Sequence, residues 1–361
     1  MKPIIQTIAK YLLKILYIFP VNNQKIFLRS FYDQYTTDMK ALGSYIKEKY
    51  PEKVIYCGCI SLNGKREKKI NFIVEKSLKG IYHLLTSKYI IFPITEPKGI
   101  PFRESQILID TWHGNGIKAS FGLSKEHFSR TNYFLSSSKQ SDDLLIKGNF
   151  FFSGEILKFG VPRNDVFFNP VKSKDISRIV KEYYGVENKK IVLFAPTFRK
   201  DFKNFDYGLD GDKLLSALKK RFGGDWVLFF RLHPSIQTSA NNDSDFIINV
   251  SSYSDMQELL LASDILITDY SSSPWDFGLK NKPIFIFATD LDEYRKSDRG
   301  FLFSIDELPY PKASTNDELV DNIKTFNEKT YKEKLKKYYI TTGSYEKGES
   351  CKKLCEYLFG R

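Results

Sequence analysis

Short apolar runs recur along this chain, each separated from the next by a longer amphipathic or polar stretch. They lie at 25–29, 53–57, 89–92, 106–109, 133–136 and 156–159, and after a gap at 190–194, 226–231, 246–250, 264–268 and 283–287. The runs are rich in Ile, Val, Phe and Leu without strict alternation, as parallel strands covered on both faces are. Strand followed by helix, repeated, predicts doubly wound α/β sheets. With 361 residues, 42% of them hydrophobic, the chain exceeds the roughly 250 residues one core sustains, so two domains are expected. Gly160-Val161-Pro162-Arg163-Asn164-Asp165 carries turn formers and places the boundary near residue 170. The expected organisation is an N-terminal helix (1–20), two Rossmann-like domains (21–170 and 171–345) of about six strands each, and a final helix (346–361) that packs back on one of them.

The N-terminus is apolar from Ile4 to Phe19 except for Gln6, Thr7, Lys10 and Lys14. Positions 7, 10 and 14 share one face of a helix, and Pro20 would stop it. The stretch is too short to span a bilayer, which takes about 20 apolar residues, and no small-residue cleavage site follows it. Two readings stand: a helix lying on an anionic membrane surface, or a helix packed on the first domain. The excess of 55 Lys and Arg over 43 acids, a net charge of +12, favours an acidic partner: nucleic acid, anionic lipid or a phosphorylated substrate. Cys57, Cys59, Cys351 and Cys355 have no histidine beside them and do not match a zinc site. They read as reduced thiols.

In open α/β sheets, ligands bind beyond the carboxyl ends of strands, and four such ends carry polar residues. The first is Thr111-Trp112-His113-Gly114-Asn115-Gly116-Ile117-Lys118. An imidazole there can take a proton from an alcohol near neutral pH, and a lysine supplies charge for phosphate oxygens. A structural histidine capping a turn is the competing reading; the flanking glycines and Lys118 favour phosphate handling. The second is Ala195-Pro196-Thr197-Phe198-Arg199, where Arg199 is placed to reach a ligand. The third is Arg231-Leu232-His233-Pro234, where Arg231 and His233 share a face of extended chain and can clamp a diphosphate. The fourth is Asp269-Tyr270-Ser271-Ser272-Ser273 followed by Pro274, the signature of a helix start, which serves an anion or plain N-capping. No Walker, dinucleotide or H-E-x-x-H motif is present. Asp290-Leu291-Asp292 has the spacing of a metal-holding D-x-D, which also arises by chance in a loop this charged; no metal or cofactor is assigned, and the metal requirement stays open.

Together these segments resemble the CDP-glycerol glycerophosphotransferase family of wall teichoic acid and capsule synthesis. The matching stretches are 111–118, 160–165, 195–199, 231–234, 269–272 and that from Asp290 through Tyr294 to Arg299-Gly300-Phe301, covering about 106 to 302. The resemblance implies a GT-B-like fold: two Rossmann-like domains facing across a cleft, preceded by an amphipathic membrane-associating helix. It implies transfer of glycerol phosphate from CDP-glycerol to a hydroxyl of an undecaprenyl-diphosphate-linked glycan, releasing CMP, at the cytoplasmic face of a bacterial cell membrane by a peripheral enzyme able to form homo-oligomers. Carried over, His113 matches the proposed general base and His233 the other catalytic histidine. Lys118, Arg163, Arg199, Arg231, Asp269, Ser271, Ser272, Ser273 and Arg299 match substrate-binding positions. Where the family commonly has Thr-Pro-Leu-Lys after His-Gly, this chain has Asn115-Gly116-Ile117-Lys118, which implies a looser loop and a different acceptor or alditol. The chain is short beside polymerising members, which implies a primase-like role.

Other readings compete. A CDP-ribitol or UDP-sugar transferase of the same fold would share these motifs. A nucleic-acid binder is suggested by the charge and 22 tyrosines, but its sequence signatures are absent and the lysines are spread. A non-catalytic membrane adaptor would need only residues 1–20.

Overall fold

A computed structural model of the chain describes residues 11–30, 33–62, 67–119, 125–197, 199, 207–232, 246–297 and 300–360. Two parallel sheets carry it, each in its own compact unit. The first unit comprises Met1–His113, Gly122–Asp165 and Tyr345–Arg361, and the second Gly114–Phe121 and Val166–Ser344. The loop after His113 therefore groups with the second unit, although it leaves a strand of the first.

In the first unit the strands are β1 (Asn22–Arg29), β2 (Val54–Cys59), β3 (Ile70–Val74), β4 (Ser87–Phe92), β5 (Ile107–Asp110), β6 (Tyr133–Leu135) and β7 (Glu155–Leu157), in the order β3-β2-β1-β4-β5-β6-β7. In the second they are β8 (Lys190–Phe194), β9 (Trp226–Phe230), β10 (Ile247–Asn249), β11 (Ile265–Thr268), β12 (Ile284–Phe287) and β13 (Lys312–Ala313), in the order β10-β9-β8-β11-β12-β13. Both are doubly wound. The winding reverses between β1 and β4 in one sheet and between β8 and β11 in the other, and such reversals open a crevice at the carboxyl ends. Fully buried β11 and β12 explain the unbroken Ile-Leu-Ile-Thr and Ile-Phe-Ile-Phe runs. β3 and β13 carry no such run. Both are edge strands, and in β3 only Ile70 and Ile73 are buried.

Local chemistry sets the helix ends. The helix Pro170–Tyr184 starts with Asn169 accepting from Lys172 N–H and with proline in its first turn, and it ends at Gly185 in the left-handed region. The C-terminal helix Ser350–Phe359 belongs to the first unit. Asp165 accepts from the N–H groups of both Ser350 and Cys351 at 2.8 Å, satisfying donors that a helix start leaves open. Glu346 accepts from the Val161 N–H and the Asn164 side chain. A side chain at Gly160, which has φ 77°, would meet the Glu346 carboxylate at 2.7 Å.

The N-terminal helix differs from expectation. Residues 4–10 lie outside the described residues. Beyond them the chain tightens into a 3-10 helix over Lys14–Ile18, so no regular amphipathic helix runs through Phe19. Leu13, Leu16 and Tyr17 are half-buried. The Arg103 guanidinium donates to the Leu16 carbonyl and sits 4.4 Å over the Tyr17 ring, and Tyr17 donates to the Pro101 carbonyl. Tyr11, Leu12, Ile15 and Ile18 are each more than 60% exposed. Among the described residues no helix is long and apolar enough to cross a membrane.

Candidate active site

At the reversal of the second sheet, β8 and β11 leave the sheet side by side. The Thr197 N–H donates to Asp269 Oδ1 at 2.8 Å, and the Thr268 hydroxyl donates to the Ala195 carbonyl. Arg199 lies across this end, 5% exposed. Its Nη2 donates to Asp269 Oδ2 at 2.8 Å and to Asp290 Oδ1 at 2.9 Å, and its Nε donates to Asp290 Oδ2 at 2.6 Å. Tyr270 and Tyr294 stack 4.1 Å apart, and the guanidinium lies 5.0 and 4.8 Å from their centroids. The two carboxylates hold the Arg199 proton more firmly than usual despite burial, and Arg199 holds the Asp290 carboxyl below its usual range against the opposing effect of burial. Asp290 thus serves an ion pair and also accepts from the Tyr270 hydroxyl at 3.0 Å. In this structure Asp290 is held by Arg199, and Arg199 braces the Asp269 loop.

The loop from His113 settles on the same spot. Side chains at Gly114 and Gly116 would meet Ser272, at 2.2 Å from its Oγ and 3.1 Å from its Cα. Lys118 pairs with Phe301 in an antiparallel bridge, flanked by Ala119 N–H to Gly300 carbonyl and Leu302 N–H to Ile117 carbonyl. Gly116 therefore does not loosen this loop; it permits close approach to the serine segment. Ser271 Oγ accepts from the Ser273 N–H and hydroxyl, and Ser272 makes no capping bond to the short helix Ser273–Gly278. The serine that accepts at this helix start is therefore Ser271, and the capping reading holds for it rather than for Ser272.

Arg231 follows β9, next to β8. Its Nη1 donates to the Tyr253 carbonyl at 2.9 Å. Burial pulls its guanidinium down to about 10, with Asp255 and Tyr184 opposing. A dehydrated cation so placed gains from an anionic partner. His233 and Arg299 lie outside the described residues.

In the first unit, His113 is exposed, and its Nδ1 lies 3.1 Å from the Pro93 carbonyl at the end of β4, beside the reversal of that sheet. A proton on Nδ1 donated there leaves the basic lone pair on Nε2. Arg163 is elsewhere. Its guanidinium is 3% exposed and pairs with Asp38 at 3.0 Å, and its N–H donates to the same carboxylate. Arg163 is corrected from a substrate contact to a buried strut, because its charge is matched and sealed from solvent. The 160–165 motif is the seat of the C-terminal segment. Sequence reasoning missed Pro93, the Asp290–Arg199 pair and Asp110, the buried acid that ends β5 three residues before His113. Only Asp110 had a visible signal, an acid closing an apolar strand.

Each of the two units is doubly wound, one with a histidine and the other with a buried ion cluster, serine loop and dehydrated arginine at its sheet's reversal, and the architecture is that of the GT-B-like fold class. The sequence profile of the CDP-Glycerol:Poly(glycerophosphate) glycerophosphotransferase family matches residues 11–360, and the chain belongs to that family of enzymes. It is 28% identical to a teichoic acid poly(glycerol phosphate) polymerase of Bacillus subtilis over 94% of this chain and 49% of that protein. The polymerase of the same name from Bacillus spizizenii is 28% identical over 96% of this chain and 95% of the relative. A teichoic acid glycerol-phosphate primase of Bacillus subtilis is 30% identical over 78% of this chain and 76% of the relative. The solved structure of the wall teichoic acid polymerase TagF, soaked with CDPG, superposes with a TM-score of 0.83 at 25% identity, covering 98% of this chain and 93% of that one. The chain thus spans about half the length of one curated polymerase, nearly all of another and about three quarters of a curated primase.

Proposed function

We propose that this protein transfers glycerol phosphate from CDP-glycerol to a hydroxyl of a lipid-linked glycan in teichoic acid or related wall-polymer synthesis, releasing CMP. The observation that carries this is the Gly114–Lys118 loop meeting Ser272 in the unit where Thr197, Arg199 and Asp269 close the sheet reversal, within a chain matched by the family over nearly its full length. His113 Nε2 accepts the acceptor's proton as its oxygen bonds to the glycerol-linked phosphorus. The bond from that phosphorus to the bridging oxygen breaks, and CMP leaves with the electron pair. Arg231, Lys118 and the Ser271–Ser272 backbone, with His233 and Arg299, neutralise charge on the phosphate oxygens. Arg199 and Asp269 hold the serine loop in shape.

Enzyme activity makes a concrete test. Purified protein with CDP-glycerol and a lipid-linked disaccharide is expected to release CMP, and product length then separates priming from elongation. Thermal shift with CDP-glycerol, CDP-ribitol and UDP-sugars identifies the donor, because only a bound donor stabilises the fold by mass action. Stabilisation by CDP-ribitol alone would select the second reading, which a 33% identical teichoic acid poly(ribitol-phosphate) polymerase from Bacillus spizizenii, matched over 67% of this chain, keeps in view. Loss of the donor shift on replacing Arg231 with alanine is expected; an unchanged shift removes Arg231 from the donor site.

We further infer a peripheral membrane location. Tyr11, Leu12, Ile15 and Ile18 recur at helical spacing and face outward, while the opposite stripe is docked through Arg103 and Tyr17. Both readings of the N-terminus therefore hold together in this proposal.

A further inference from the structure

The carboxyl of Asp110 ends β5 three residues before His113 and is fully buried. Its Oδ1 accepts from the Trp112 N–H at 2.7 Å, and among the described residues its Oδ2 has no hydrogen-bond partner. Trp112 is held at φ 51°, a left-handed conformation that is an outlier for a bulky side chain and persists only where surroundings impose it. The surroundings here are specific. Thr111 N–H donates to the Phe92 carbonyl, the indole packs 4.5 Å from Phe150, and on its other side it lies 4.1 Å from the His113 imidazole. That imidazole is anchored by Nδ1 at the Pro93 carbonyl.

We propose that Asp110 is a positioning residue for the reaction: its carboxyl fixes Trp112 in the left-handed turn, and the indole then forms the wall that sets the His113 ring with Nδ1 on the Pro93 carbonyl and Nε2 as the basic nitrogen. This rests on the assignment of His113 as base. Burial pushes the Asp110 carboxyl well up, Asp38 and Glu96 add to that, and Arg29 together with the Trp112 N–H opposes it. Asparagine keeps the Oδ1 acceptor that the Trp112 N–H uses and is the conservative replacement. A strained residue beside a base is a plausible device physically because small misplacement of a reacting group costs much rate.

The test is steady-state CMP release by the full chain, with kcat and KM for CDP-glycerol measured separately alongside melting temperature. Asp110→Ala is expected to lower kcat by about 10–100-fold with KM unchanged, as misplacement of a catalytic group does, and Asp110→Asn is expected to retain wild-type kcat. Trp112→Gly adopts the positive φ without strain and removes the indole, so it should lose kcat alone as well. Because both act through one wall, the Asp110→Ala/Trp112→Gly double variant should be no slower than Trp112→Gly. Additive losses, a wild-type kcat in folded Asp110→Ala, or a loss confined to KM would each overturn the proposal. His113→Ala is run in parallel. If it keeps wild-type turnover, the base assignment falls and this inference with it; if it is inactive while Asp110→Ala is normal, this inference alone falls. Should Asp110→Ala fail to fold, Trp112→Gly with wild-type kcat overturns it instead.

Discussion

Two glycines and one arginine show how single residues set this site. Gly114 admits no side chain, because a Cβ would lie 2.2 Å from Ser272 Oγ and 2.7 Å from Ser272 Cβ. Gly114→Ala is therefore expected to push the His113 loop off the serine segment. CMP release should fall by at least about tenfold, the cost of displacing a reacting group by a fraction of an ångström, with little change in melting. Adding Ser272→Gly removes both clashing atoms and should restore part of the rate; a double variant slower than the single would refute the steric account. Arg199 makes the opposite prediction. Its removal leaves Asp269 and Asp290 buried without their cation, and breaking a buried pair costs about 3–5 kcal/mol. Arg199→Ala should lower stability by that amount in urea unfolding, and lysine should not substitute, because it cannot bridge two carboxylates with a planar fork. Neutral stability in Arg199→Ala would return Arg199 to the role of an exposed phosphate ligand. From sequence, Arg199 and Arg163 look like Arg231: each follows or nears a strand end. Only burial and partners separate them, and pairing with Asp38, 125 positions away, leaves no local trace.

Elements show which signals a sequence carries and which it does not. The central strands were legible because burial on both faces demands continuous Ile, Val, Leu and Phe; β8 matches its expected bounds, 190–194, end for end. β3 and β13 were not: Asn71 interrupts the apolar residues of β3, and β13 has only two residues. The motif at 160–165 was legible as a motif but not as a seat, since its partners Glu346, Ser350 and Cys351 lie at the far end of the chain. Asp165→Ala should therefore loosen the C-terminal helix Ser350–Phe359, costing about 1 kcal/mol as lost helix caps do, with added hydrogen exchange confined to that helix; uniform exchange would argue against a local seat. The helix Leu78–Thr86 carries a second prediction. Its His83 stacks 3.7 Å from Tyr56, and burial, with Lys25 and Lys79 nearby, lowers its pKa to about 4. The unfolded chain takes up this proton near pH 6.5 and the folded chain does not, so stability falls as pH drops from about 6.5 towards 4. His83→Phe removes that slope. An unchanged pH dependence of melting would place the titrating group elsewhere.

At the scale of the molecule, charge and surface connect the enzyme to its setting. In the proposed peripheral location, a net charge of +12 would favour anionic lipid, and the outward stripe at Tyr11, Leu12, Ile15 and Ile18 would supply apolar area to insert. Ile15→Glu with Ile18→Glu is expected to abolish flotation with anionic vesicles while leaving turnover on a soluble acceptor analogue unchanged; undiminished flotation would rule out this segment as the contact. The two-sheet architecture and the motif positions were readable along the chain because strand–helix alternation and strand-end polarity are local properties. The grouping of 114–121 with the second unit was not, since it depends on Gly114 and Gly116 meeting Ser272 across some 150 positions of sequence. The account as a whole turns on His113. The most direct measurement is CMP release from saturating CDP-glycerol, with lipid-linked acceptor, by wild-type protein and His113→Ala. The expected result is turnover by the wild type and a loss of about 10²–10⁴-fold in kcat by a variant that still melts normally and still gains stability from the donor. A folded His113→Ala enzyme with wild-type turnover would contradict it.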